Sequence, residues 1–155
     1  MKNIIQNTTK AILIVLPLLF NGCKIDLPKN SKPILKLEKS KCFGDCAMYS
    51  AVLKENSWLE FYPKENTKIK SPSYSKIKKT DYKSLLNIIN SIPVKNLKSE
   101  YDNKLLMDAP TIHLTFYKGQ NKRRIKIRAN PPKKLKVLIK QFEQIIKSSE
   151  WKPLP

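Results

Sequence analysis

The sequence holds one histidine, three glycines and 12 acidic residues in 155. Each scarcity removes a class of function. A single histidine cannot build a His-rich metal centre, and it leaves little for a histidine-based triad. With so few glycines there is no G-x-G-x-x-G or Walker-type phosphate loop. No apolar run reaches the ~20 residues of a membrane-spanning helix. The ten-residue run Ala11–Phe20 is the longest. The 12 acids face 31 Lys and Arg, a net charge of +19. An apolar content of 41% nevertheless excludes a disordered polycation, which would be poor in core formers. The length suits one domain with a short appendage.

The appendage is at the N-terminus. Lys2 and Lys10 are the only charges before Cys23, and Ala11–Phe20 follows them. A positive segment followed by a short apolar one is the pattern of a secretory signal. Leu19-Phe20-Asn21-Gly22-Cys23 resembles the lipobox of bacterial lipoproteins. The resemblance implies a signal over residues 1–22, cut before a Cys23 that carries acyl chains. Two or more such chains anchor a protein stably where one does so only marginally. An ordinary secretion signal with an incidental Cys23, or an uncleaved anchor, is the competing reading. Removing two of the 31 basic residues with the signal leaves +17 on 133 residues. Residues 23–33, polar with two prolines, read as the lipidated Cys and a flexible tether. Residues 34–155 then form a single domain. Export separates this charge from cellular nucleic acid, so nucleic acid is not an expected partner. Anionic lipid head groups and other anionic envelope components are nearer. Lys24 is not the Asp that marks inner-membrane retention in some bacteria, which leans the location toward the outer membrane.

Cys42 and Cys46 remain. An even pair in an exported domain favours a disulfide. Gly44 between them allows the tight turn such a ring needs. Two sharper readings stay open beside this staple. One is a redox pair, although catalytic dithiols usually use C-x-x-C at a helix start. The other is a Cu(I) site from Cys42, Cys46, Met48 and His113, since thiolates and thioethers suit that ion. The staple reading requires no cofactor.

Hydrophobic periodicity places strands at 34–38, 47–54 and 58–62, with a polar turn at Glu55-Asn56-Ser57. Thr67–Lys70 reads as a Lys-guarded edge strand ended by Ser71-Pro72-Ser73. Thr80 is a candidate N-cap for a helix with Tyr82, Leu85, Leu86 and Ile89 on one face, ended by Pro93. Residues 94–110 look irregular. A hairpin follows, with strands over 111–117 and 122–128 around Gly119-Gln120-Asn121. Asn130 can cap a second helix opened by Pro131-Pro132, whose stripe is Leu135, Leu138, Ile139, Phe142, Ile145 and Ile146. Trp151 is expected to close one end of the core. Hairpins with two amphipathic helices make an α+β two-layer sandwich, an antiparallel sheet of about five strands covered by both helices.

Cys42-Phe43-Gly44-Asp45-Cys46-Ala47-Met48-Tyr49, Asp108-Ala109-Pro110-Thr111 and Glu150-Trp151 together resemble a family of small bacterial lipoprotein domains of unknown function. Its mark is Cys-Phe-Gly-x-Cys-Pro-x-Tyr, with Ala47 here in place of the proline. The resemblance implies an extracytoplasmic setting and no particular reaction.

Three groups remain as candidates for chemistry. Arg124, Lys126 and Arg128 alternate along one strand, with His113, Thr115 and Tyr117 expected opposite them. Such a face can grip phosphate, sulfate or carboxylate, or be an ordinary solvated surface. Asp108 could be catalytic or order the turn before Pro110. Glu100 and Asp102 could join it as a carboxylate pair. None of these completes a catalytic constellation, so the expected class is a non-catalytic binding or structural envelope protein.

Overall fold

Alternation of apolar and polar residues builds the central strands, and a computed structural model shows how they assemble. It describes residues 31–154 other than Lys41, Phe43, Lys104, Met107 and Asp108. The expected signal, the Cys23 anchor, most of the tether and Asp108 lie outside the described residues. The elements are β1 (Pro33–Lys39), β2 (Met48–Lys54), β3 (Trp58–Glu65), β4 (Ser73–Lys76), α1 (Lys79–Ser91), β5 (Glu100–Tyr101), β6 (Ile112–Lys118), β7 (Asn121–Ile127), α2 (Lys133–Ser148) and β8 (Lys152–Pro153). The fold is α+β, with two helices and one sheet of eight strands in the order β5-β7-β6-β1-β2-β3-β4-β8.

The sheet is therefore larger than the expected five strands and is not wholly antiparallel. β5 pairs with β7 in parallel, through Glu100 opposite Lys126 and Tyr101 opposite Ile127. The expected strand over Thr67–Lys70 does not form. The Thr67 hydroxyl donates to the Ile69 carbonyl at 2.6 Å, a local bond that competes with ladder pairing. The chain pairs six residues later instead, as β4. Glu55–Ser57 is a short 3-10 turn with Asn56 at φ 61°, and Gly119 at φ 60° turns β6 into β7.

Period two sends one side of the strands into the core. Leu35 and Leu37, Ala51 and Leu53, Leu59 and Phe61, Leu114 and Phe116, and Ile125 and Ile127 are buried in one cluster. α2 contributes Leu135, Leu138, Ile139, Phe142, Ile145 and Ile146, the stripe read from its 3.6-residue period. α1 contributes less. Leu85 is fully buried, while Tyr82, Ile88 and Ile89 pack from the side. Both expected caps are wrong. Each N-cap lies two residues from the expected one: the N-cap positions are Lys78 and Pro132, and neither has a side-chain capping bond. Thr80 falls inside the first turn of α1, and Asn130 sits at φ 49° before the helix. Trp151 packs on Phe61 with ring centroids 5.2 Å apart, and its Nε1 donates to the Ile146 carbonyl at 3.1 Å. Among the described residues no helix is long and apolar enough to cross a membrane.

A polar tie holds α2 to the sheet. Lys39 donates to Glu143 at 2.9 Å, and the Tyr49 hydroxyl donates to the same carboxylate oxygen at 3.4 Å. Burial first, then the Glu143 charge, pushes the Tyr49 phenol far above its ordinary value. Burial and the Glu60 hydrogen bond push Tyr62 up to about 12. A phenol whose folded pKa is raised holds its proton longer in the native state than in the unfolded chain, which ionises near pH ~10. The stability it contributes is complete below that pH and is lost as pH rises toward the folded values. The urea midpoint is therefore expected to fall as pH rises above about 10. Tyr49→Phe should flatten part of that fall. An equally steep fall in the variant would remove Tyr49 as a cause.

Candidate functional site

The strand residues that point away from the core form cross-strand rows on the other sheet face. One row runs Lys126, His113, Glu38, Ser50, Tyr62 across β7, β6, β1, β2 and β3. The next runs Arg124, Thr115, Lys36, Val52, Glu60, Tyr74 and extends to β4. His113, Thr115 and Tyr117 thus stand beside Lys126, Arg124 and Lys122, as antiparallel register dictates.

Lys36, Arg124, Lys126 and Arg128 each meet a carboxylate. Arg124 Nη1 lies 3.2 Å from Glu38 Oε2, and Lys36 Nζ lies 3.1 Å from Glu38 Oε1. The Arg124 contact is an ion pair without hydrogen-bond alignment, so the buried Oε2 has no donor bonded to it. Lys126 Nζ lies 2.8 Å from Glu100, and Arg128 Nη1 lies 3.4 Å from Asp102. Arg128 also donates to the Leu106 carbonyl at 2.6 Å. Glu100 and Asp102 thereby pair with Lys126 and Arg128, and Asp108, the third carboxylate of that reading, lies outside the described residues. The strand β5 that carries Glu100 follows a segment whose local pattern shows no strand, so these partnerships are not readable along the chain.

Toward β4 the same face becomes more buried. Glu60 is 8% exposed at its side chain and accepts from Lys54 at 2.6 Å and from the Tyr62 hydroxyl at 2.9 Å. His113 is held below its ordinary pKa, by burial first and then by the Arg124 charge, with Glu38 acting in the opposite direction. It stays neutral at physiological pH and can offer one donor and one acceptor.

Cys42 and Cys46 occupy the β1–β2 connection. Their sulfurs are at disulfide bonding distance and their Cα atoms are 5.9 Å apart. Gly44 between them adopts φ 111°, a backbone state that side chains with a Cβ rarely adopt. A ring of this size stabilises by about 2 kcal/mol in the chain-entropy account. Both cysteines are half-buried. His113 lies on β6, where Glu38 pairs with it two residues from the loop's start. Among the described residues no cluster of three or more His, Cys, Asp or Glu side chains is arranged to hold a metal.

A search of curated proteins finds no match to the chain. Residues 33–146, from the first strand to the last buried turn of α2, match the model of a domain of unknown function, DUF6438, and the chain belongs to that family.

Proposed function

We propose that the chain is an exported lipoprotein, anchored through an acylated Cys23, whose α+β domain is a non-catalytic module that binds an anionic component of the cell envelope. One combination carries the reading: an apolar leader ending at Cys23, followed by a cysteine pair at bonding distance. Disulfides persist in oxidising compartments outside the cytosol. An acylated Cys23 replaces a membrane span. The basic excess of the exported part then meets anionic head groups or glycans, with surface lysines adding about 1 kcal/mol each close to an anionic membrane.

The test is Cys23→Ser expressed in a bacterial host. Wild type is expected to partition into detergent, to lose residues 1–22 by a globomycin-sensitive step, and to show acyl mass on its N-terminal fragment. The variant is expected to accumulate unprocessed. Normal maturation of Cys23→Ser would sink the anchor.

A second reading rests on the partial exposure of Cys42 and Cys46. An accessible pair can cycle between dithiol and disulfide, or hold Cu(I) when reduced. Alkylation and mass measurement of the same preparation at periplasmic potentials discriminate the two readings. A pair that never reduces there is a staple.

A further inference from the structure

The cations that the sequence points to are neutralised by neighbours, and those that are not lie elsewhere. At the far edge of the sheet, β4 is paired by β8 only through Ser73 and Tyr74. Beyond that point the strand edge, the first turn of α1 and the end of α2 enclose a cavity of about 390 Å³. Lys76, Lys78 and Lys152 line it. None of the three has a carboxylate within ion-pair distance among the described residues.

Four further observations agree on what the cavity accepts. Trp58 lines it and is 5% exposed, yet its Nε1–H has no acceptor. A buried indole N–H without a partner loses a bond it would make in water. The first turn of α1, from which Lys78 and Asp81 line the cavity, has no side-chain cap at the positive end of a 13-residue helix. Lys76 Nζ stands 4.6 Å from the centre of the Trp58 ring, which Tyr74 meets edge-on at 5.7 Å. Asp81 and Glu150 complete the lining as acceptors, so lysines outnumber carboxylates three to two.

We propose that this cavity binds a phosphate ester of a polyol or sugar. The lysines and the uncapped start of α1 take the phosphate oxygens, Asp81 and Glu150 accept from hydroxyls, and the indole and phenol rings carry the carbon skeleton. Lysine suits phosphate as a point charge, and a polyol supplies the donors that two carboxylates require. This deepens the envelope-binding reading and rests on it only for the source of the ligand, a phospholipid head group or a free phosphorylated polyol.

The experiment titrates the full chain in uncharged detergent with sn-glycerol 3-phosphate and with glycerol, reading tryptophan fluorescence and calorimetry. Saturable binding of the phosphate alone is expected. The double variant Lys78→Ala/Lys152→Ala should weaken it by about tenfold or more, as the loss of two charge-assisted bonds requires. Lys133→Ala/Lys136→Ala removes the same charge from exposed positions on α2 that do not line the cavity, and should change affinity less than about twofold. Equal losses in the two double variants, or no saturable binding by wild type, would overturn the site. Competition by phosphatidylglycerol vesicles, but not phosphatidylcholine vesicles, supports the site and assigns the ligand to lipid. Undisturbed binding supports it with a soluble ligand. Charge-dependent vesicle binding that survives Lys78→Ala/Lys152→Ala, with no phosphate binding, ends this proposal and leaves the envelope reading standing.

Discussion

Phe142→Ala is expected to lower the free energy of unfolding by about 3–5 kcal/mol. Phe142 is the largest side chain that is fully buried, at the middle of the six-residue stripe by which α2 lies on the sheet. Its ring is enclosed within the cluster that joins Leu35, Leu114 and Ile125 to the helix. Truncation removes the transfer energy of the ring and leaves a cavity that rigid neighbouring strands can fill only in part. Domains of this size are stable by about 5–15 kcal/mol, so the loss is a large fraction of the total. Urea unfolding followed by circular dichroism measures it. A loss under about 1 kcal/mol would mean that α2 does not hold this sheet face in solution.

Glu60→Ala is expected to cost about 1.5–3 kcal/mol, for an electrostatic reason, the loss of its charge-assisted hydrogen bonds. Glu60 is buried among β2, β3 and β4, between Val52 and Tyr74 in its row, and accepts from Lys54 and Tyr62. Removing the carboxylate deprives the 14%-exposed Lys54 ammonium of that counter-charge and the Tyr62 hydroxyl of its acceptor. The two effects have separate readouts. Stability is measured by urea unfolding, and the Tyr62 phenol, held at about 12 in the native protein by burial first and then by Glu60, should titrate lower by phenolate absorbance while burial keeps it above 10.0. Glu60→Gln keeps an acceptor for Tyr62 and should shift that titration less than alanine does. A Glu60→Ala protein as stable as wild type would show that water replaces the carboxylate.

Periodicity along the chain locates what a single element can declare. The α2 stripe and the alternation of Ile112, Leu114 and Phe116 against Ile125 and Ile127 mark core faces without reference to any partner. Two-residue strands declare nothing. β5 and β8 are too short for a period, and Ser73-Tyr74-Ser75-Lys76 of β4 carries no apolar alternation. Arg124 and Lys126 can be placed on one face from their spacing, whereas Glu38 and Glu100, which pair with them, come from other strands. The β4-edge cavity is less legible still. Trp58, Lys76, Lys78 and Lys152 come from three separate stretches of chain, and only the sheet order and the helix directions bring them together.

The placement of β1 has a consequence for how the molecule is made. It lies inside the sheet, with β2 on one side and β6 on the other, and Leu37 pairs with both Ala51 and Leu114. The first partner is 14 residues away and the second 77. The β1–β2–β3 meander closes short loops and can assemble as soon as residue 65 is free. Its other edge must wait for the β6–β7 hairpin, and its apolar face for α2. Contacts this remote pay loop-closure entropy before they return any stability, which slows the search for the native state. The meander therefore gains its full set of neighbours only once the last third of the chain, from β6 onward, is available to it.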